Sequence, residues 1–233
     1  MAEQEAGPGP LLASGRDADV FAAGSGRVLR RYRDPARPVE VEAEVMRHVR
    51  AAGYPVPEVV DAAGPDLLME RVAGPTMLED VGRRPWRLTS HAATLAALHR
   101  RLHELAPPPG LPRPFGAGGA LLHLDLHPAN VLLGQDGPVV IDWSSASVGP
   151  AAADPAQTWV LLATSEVPGS RPARAVLGLG RTLFLRAWLR RCTEPGIAEL
   201  LPRVAAARRD DPNVRDGERA AIGRLLARHP RTG

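Results

Sequence analysis

Three residues near the middle of the chain have the types and spacing to do chemistry. In HLDLHPANVLL, residues 123–133, an acid, Asp125, stands five residues before an amide, Asn130. A second acid, Asp142, follows twelve residues later near the end of the apolar run VVIDW. A hydroxyl is a weak nucleophile, and a carboxylate within hydrogen-bond reach orients it and takes its proton. A nucleoside triphosphate arrives heavily charged, and hard oxygen ligands must hold Mg²⁺ against it. Asn130 offers a neutral oxygen and Asp142 an anionic one. A base at Asp125 with metal ligands at Asn130 and Asp142 is the equipment of phosphoryl transfer to a hydroxyl. The plainer reading makes Asp125 and Asn130 turn formers between two apolar runs. Two separated segments, each in the right local context, favour the catalytic one.

Other elements must position these residues. Residues 11–29 read as short strands around a turn at Gly24-Ser25-Gly26, and the strand character continues from Arg27 to Tyr32. Asp34-Pro35 and Arg37-Pro38 mark a loop. Residues 39–52 form a helix candidate with Val41, Val45, Met46 and Val49 as its apolar positions and Gly53 as its stop. Pro55-Val56-Pro57 enforces an extended stretch. Strands are expected at 59–62 and 67–72, and Gly74-Pro75 marks a turn and a lobe boundary. The rest is mainly helical: 88–105, with Leu95, Leu98, Leu102 and Leu105 on one face, then 158–164, 178–191, 197–207 and 216–228. A proline-rich linker covers 107–114. Strands first and helices after is an α+β order, not an alternating one.

Composition sets the outer limits. The chain has 233 residues, 44% of them apolar, enough to bury a core. No run is long enough to span a bilayer, the N-terminus shows no signal peptide, and a single cysteine, Cys192, cannot pair internally. These features favour the cytoplasm, with no membrane partner. Every one of the 29 basic residues counted as Lys plus Arg is Arg. The pI near 9.9 reflects a net charge of only +3, with acids interspersed among the arginines, so no nucleic-acid partner is expected. His123 and His127 stand at i and i+4, but Pro128 opposes the helix a zinc pair there would need.

The motif His123-x-Asp125-x-x-x-x-Asn130 with Asp142 resembles the aminoglycoside phosphotransferase family, kinase-like phosphotransferases of small molecules. His127 and Pro128 complete the loop as that family carries it. Leu124 stands where protein kinases have Arg, and Trp143-Ser144 follows the second acid in place of Phe-Gly. The resemblance therefore points to a small-molecule kinase that needs no activation-loop phosphorylation. It implies a bilobal protein-kinase-like α+β fold, with a small β-rich N-lobe over 1–73 and a larger helical C-lobe over 74–233. The reaction implied is ATP- or GTP-dependent and Mg²⁺-dependent transfer of the γ-phosphoryl group to a hydroxyl-bearing acceptor.

The same resemblance assigns weaker positions. Ser14 and Gly15, in LASGRDADVF, fall in the loop that covers the phosphates. Arg30, in a chain without Lys, falls where a strand cation grips phosphates, and Glu42 falls at its helical partner; Arg31 and Glu44 are the register alternatives. Met69, Glu70 and Val72 fall on the segment that meets the adenine. Asp154 is expected to cap the following helix and orient the catalytic loop. The C-terminal helices, implied to hold the acceptor, are Arg-rich and lack an acidic cluster beyond Asp210-Asp211, which disfavours a polycationic acceptor. The alternative function is a nucleotide-binding pseudokinase with a regulatory role. Cys192, beside Arg190 and Arg191, reads as either a thiol of lowered pKa or inert packing.

Overall fold

A computed structural model describes residues 9–15, 17–36, 39–165, 170–212 and 214–229. Arg16, in the expected phosphate loop, and Arg37-Pro38 lie outside the described residues. The chain divides into two compact units, Met1–Gly74 with Leu132–Ser144, and Pro75–Val131 with Ser145–Gly233.

The first unit is built on one antiparallel sheet. Its strands are β1 (Leu11–Ser14), β2 (Ala18–Ala22), β3 (Arg27–Tyr32), β4 (Val59–Ala63) and β5 (Asp66–Glu70), in the order β1-β2-β3-β5-β4. β2 and β3 are joined through Gly24, Ser25 and Gly26, all at positive φ, a conformation that glycine reaches without a Cβ clash. Strand periodicity puts Val28, Arg30 and Tyr32 on one face of β3; Val28 and Tyr32 are buried.

Helix α1 (Glu40–Ala51) carries the buried stripe Glu42, Ala43, Val45, Met46 and Val49. This differs from the apolar pattern at one point. Val41 is 53% exposed while Glu42 is buried, because Glu42 finds its compensating partners inside the unit. A hairpin of β7 (Val131–Gly134) and β8 (Gly137–Val140) joins the first unit from Leu132 onward, where the Val140 N–H donates to the Pro55 carbonyl at 2.9 Å.

The second unit is helical: α2 (Met77–Arg83), α3 (Leu88–His103), α4 (Ala153–Thr164), α5 (Arg171–Leu189), α6 (Ile197–Asp210) and α7 (Asp216–Arg228). A small ladder pairs β6 (Ala120–Leu122) with β9 (Ser147–Gly149). Leu122, Ala156, Val160, Leu201, Val204 and Ile222 form the centre of its core, where α4, α6 and α7 meet. α2, seven residues long, is too short for an apolar period to mark it in the sequence. It is fixed instead by a capping box, in which Thr76 accepts from the Glu79 N–H and Glu79 accepts from the Thr76 N–H. Buried Asp80 then ties α2 to α3 by accepting from His91 at 2.7 Å and Arg87 at 3.1 Å. The long helix expected over 88–105 stops at His103. α4 and α5 start earlier than expected because Pro155 and Pro172 stand in first turns, where a missing N–H costs nothing. No helix among the described residues is long and apolar enough to cross a membrane.

Candidate active site

The first unit holds an ionic cluster built on β3, α1 and the segment after β8. Arg30 donates from Nη1 to Glu42 Oε1 at 2.9 Å and from Nη2 to Asp142 Oδ1 at 2.8 Å. Its side chain is only 12% exposed and that of Glu42 5%. Burial opposes the guanidinium charge, yet the two carboxylates outweigh it and hold the Arg30 pKa above the ordinary arginine range. Tyr32, two residues along the same face, donates its hydroxyl to Glu42 Oε2 at 2.5 Å, and its ring lies 4.8 Å from the Arg30 guanidinium carbon. Burial, then Glu42, pushes the phenol up, so it stays a donor.

Glu42 accepts a third bond from the Trp143 N–H at 3.2 Å, which draws the chain after β8 onto α1. Trp143 is fully buried edge-on to Tyr54. Asp142 itself adopts φ +66, a left-handed turn that Asp tolerates better than most side chains. Its Oδ1 also accepts from the Ser144 hydroxyl at 2.9 Å. Arg30, not Arg31, is thus the cation brought to Glu42 and Asp142. Arg31 turns to Asp66 at 2.6 Å, and Glu44 is exposed.

Ser14 and Gly15 lie at the β1–β2 turn. Their donors are engaged locally: the Ser14 hydroxyl donates to Asp19 at 2.6 Å and the Gly15 N–H to the Ala18 carbonyl at 2.9 Å. Arg33 closes the turn from Nη2 onto Ser14 Oγ and the Gly15 carbonyl. Met69 is buried on β5 opposite Val28, and the Glu70 N–H donates to the Glu58 carbonyl at 2.8 Å. Val72 follows, packed near Gly134 of β7. A Cβ on Gly74 would lie 2.0 Å from the Leu133 carbonyl oxygen; glycine is required where this segment crosses β7.

The second unit holds Asp125 and Asn130. Asn130 Nδ2 donates both to the Asp125 carboxylate at 2.8 Å and to the Asp125 carbonyl at 2.9 Å. That locks the loop and turns the amide oxygen away from Asp125. His127, in extended conformation, caps a short 3-10 turn over Pro128–Asn130, accepting from the Ala129 N–H. Its Nε2 lies 3.5 Å from Asp125 Oδ1. His123 Nδ1 accepts from the Asp125 N–H at 3.2 Å. The two histidines serve separate backbone groups, and among the described residues no cluster of three His, Cys, Asp or Glu could hold a metal.

Asp154 does not cap its helix; Ala152 stands at the cap without a side-chain bond. Its carboxylate instead accepts from the His123 N–H at 3.1 Å and the Leu124 N–H at 2.7 Å. His103 and Glu194 stand behind it, and neither belongs to a sequence motif that marks it. Cys192 is settled in favour of packing: burial, reinforced by Glu194, pushes its thiol up to about 12.

Taken separately, Asn130 in the second unit and Asp142 in the first each carry a hard oxygen, the ligand type that suits Mg²⁺ better than a softer ion. The fold is shared with solved structures. A choline/ethanolamine kinase family protein from Mesorhizobium loti is 17% identical with TM-score 0.62, covering 96% of this chain and 90% of that one. The streptomycin–ATP ternary complex of an aminoglycoside phosphotransferase is 15% identical with TM-score 0.58, covering 86% and 82%. An aminoglycoside-3'-phosphotransferase of type VIII is 22% identical with TM-score 0.54, covering 94% and 90%. A search of curated protein sequences gives no match. The model of the phosphotransferase enzyme family matches residues 9–119 and 116–195. With most of its length under that match, the chain belongs to the aminoglycoside phosphotransferase family of small-molecule phosphotransferases.

Proposed function

We propose that the protein moves the γ-phosphoryl group of ATP or GTP to a hydroxyl of a small acceptor in the cytoplasm. The observation that carries this is the Asp125–Asn130 loop. One amide nitrogen bridges the Asp125 carboxylate and its backbone carbonyl, leaving a fixed carboxylate to take a hydroxyl proton. Asp125 is the general base. Asn130 and Asp142 would hold Mg²⁺, which would supply charge neutralisation on the phosphates. Arg30, steadied by Glu42, supplies the cation that Lys supplies elsewhere. Its planar fork reaches two carboxylates at once, which a point-like ammonium does less well. Ser14 and Gly15 cover the phosphates after exchanging their local bonds for phosphate oxygens, and Met69, Glu70 and Val72 meet the base. Residues 1–73 supply the nucleotide-binding strands and helix, and 74–233 carry the catalytic loop, the metal ligands and the acceptor site. The C-terminal helices are Arg-rich and have no clear acidic cluster beyond Asp210-Asp211, which disfavours a polycationic acceptor.

A second reading, a nucleotide-binding pseudokinase, draws on the same cluster: Arg30 occupies Asp142 Oδ1, and the Ser14 and Gly15 donors are already engaged. Thermal-shift titration of ATP and GTP with and without Mg²⁺ comes first, since a ligand at a hundred times its Kd stabilises by about 2.7 kcal/mol. Incubation with Mg-ATP and pools of hydroxyl compounds then looks for a phosphate mass increment. Product formation supports the transferase. Mg-dependent binding with neither product nor ATP hydrolysis supports the pseudokinase.

A further inference from the structure

Leu124 turns the chain into Asp125 at φ +58. A residue with a Cβ loses roughly 1–2 kcal/mol in that conformation, so neighbouring groups must hold it. Asp154 does so by accepting from both the His123 and Leu124 N–H groups. This carboxylate is fully buried. Without a cation it would take up a proton, and a protonated acid gives up part of its acceptor capacity to become a donor.

His103, at the end of α3, provides the cation by donating from Nε2 to Asp154 Oδ2 at 3.2 Å. Its other nitrogen, Nδ1, is buried without a hydrogen-bond partner and lies 3.5 Å from Glu194 Oε1, in the segment after α5. The titratable groups that face this imidazole are Asp154 from α4, Glu194, and His99 one turn back on α3, 6.1 Å ring to ring. His123, after β6, faces Asp154.

We propose that Glu194 and His103 are positioning residues for phosphoryl transfer. They form an acid–imidazolium–acid chain that keeps Asp154 ionised and so sets the backbone turn that delivers Asp125. The catalytic consequence rests on Asp125 being the base; the chain itself does not. The charges support the geometry. Burial opposes the His103 charge, yet Asp154 and Glu194 raise its pKa to about 9. Burial likewise opposes the Asp154 charge, and His103 leads the groups that hold its pKa far below the usual carboxylate range.

The test uses the full chain and two conservative variants, Glu194→Gln and His103→Gln. Histidine-selective NMR should show His103 titrating near 9 in the parent and at lower pH in Glu194→Gln. At pH 8 the His123 and Leu124 amides should exchange with deuterium roughly tenfold or more faster in both variants, the loss of a charge-assisted bond. The Ile222 amide in α7 should be unchanged. In Mg-ATP hydrolysis, kcat should fall with KM near the parent value, and the alkaline limb of the kcat profile should move down with the His103 midpoint in Glu194→Gln. An unmoved midpoint and unchanged amide exchange in Glu194→Gln overturn the chain. Altered exchange with unaltered kcat overturns the positioning role. A parent without any Mg-ATP turnover overturns the function, and the positioning role with it, while the NMR and exchange results still decide whether the chain exists.

Discussion

Asp125→Asn keeps the shape of the side chain and removes the base. General-base catalysis contributes ~10²–10⁴-fold, so phosphate transfer should fall by about that factor while nucleotide affinity stays near the parent value; equal transfer would assign the base elsewhere. Arg30 and Arg31 make a sharper contrast, because neighbouring strand residues face opposite ways. Removing Arg30 leaves Glu42 buried without its cation, at a cost of about 3–5 kcal/mol. Arg31 is paired with Asp66 where both are partly exposed, and such a pair contributes about 0–1 kcal/mol. Arg30→Ala should therefore lower the melting temperature strongly and weaken nucleotide binding measured well below it. Arg31→Ala should do little of either. The reverse ranking would place the functional cation on the other face of β3.

Among the elements, the segment after β5 passes β7 at close quarters at Gly74. Gly74→Ala puts a methyl group against the Leu133 carbonyl and should destabilise by about 1–3 kcal/mol in urea unfolding; an unchanged midpoint would mean that the segment simply moves aside. Thr76→Ala removes half of the α2 capping box and should cost about 1 kcal/mol. How far elements were legible follows from how local their causes are. β2, β3, α6 and α7 announce themselves by alternation, glycine turns and helical period. Glu42 was legible as a functional candidate but not as part of α1's buried stripe, because the arginine and tyrosine that permit its burial sit on another element. Thr76-x-x-Glu79 was readable as a helix start, yet seven residues without an apolar period hid α2. The positive φ of Asp142 and Leu124 has no sequence signal. The resemblance already points to Asp154 as orienting the catalytic loop, but His103 and Glu194 reach it only after α3, α4 and the end of α5 have packed, so those two partners have no signal in the spacing.

At the scale of the molecule, these buried pairs shape the pH dependence of stability. His103 has a raised folded pKa. Its contribution is therefore fully present below the ordinary histidine value, about 6.5, and is lost as pH rises through about 9. Asp154 is depressed, and its contribution is present above the ordinary carboxylate range and lost in acid. The parent should be most stable between these limits. Melting temperatures from pH 6 to 10 should show an alkaline decline that is flattened in His103→Gln, and parallel curves would remove His103 as its source.

The guanidinium at position 30 also decides which reagents can see this enzyme. Probes that mark kinases by delivering an acyl group from a nucleotide-like carrier depend on a side-chain amine beside the phosphates, and here no side chain bears one. Such probes should pass the protein by in a cell extract, however well it binds nucleotide. Arginine-selective dicarbonyls are the reagents that match, and Arg30, enclosed by Glu42, Asp142 and Tyr32, should be among the last arginines they modify.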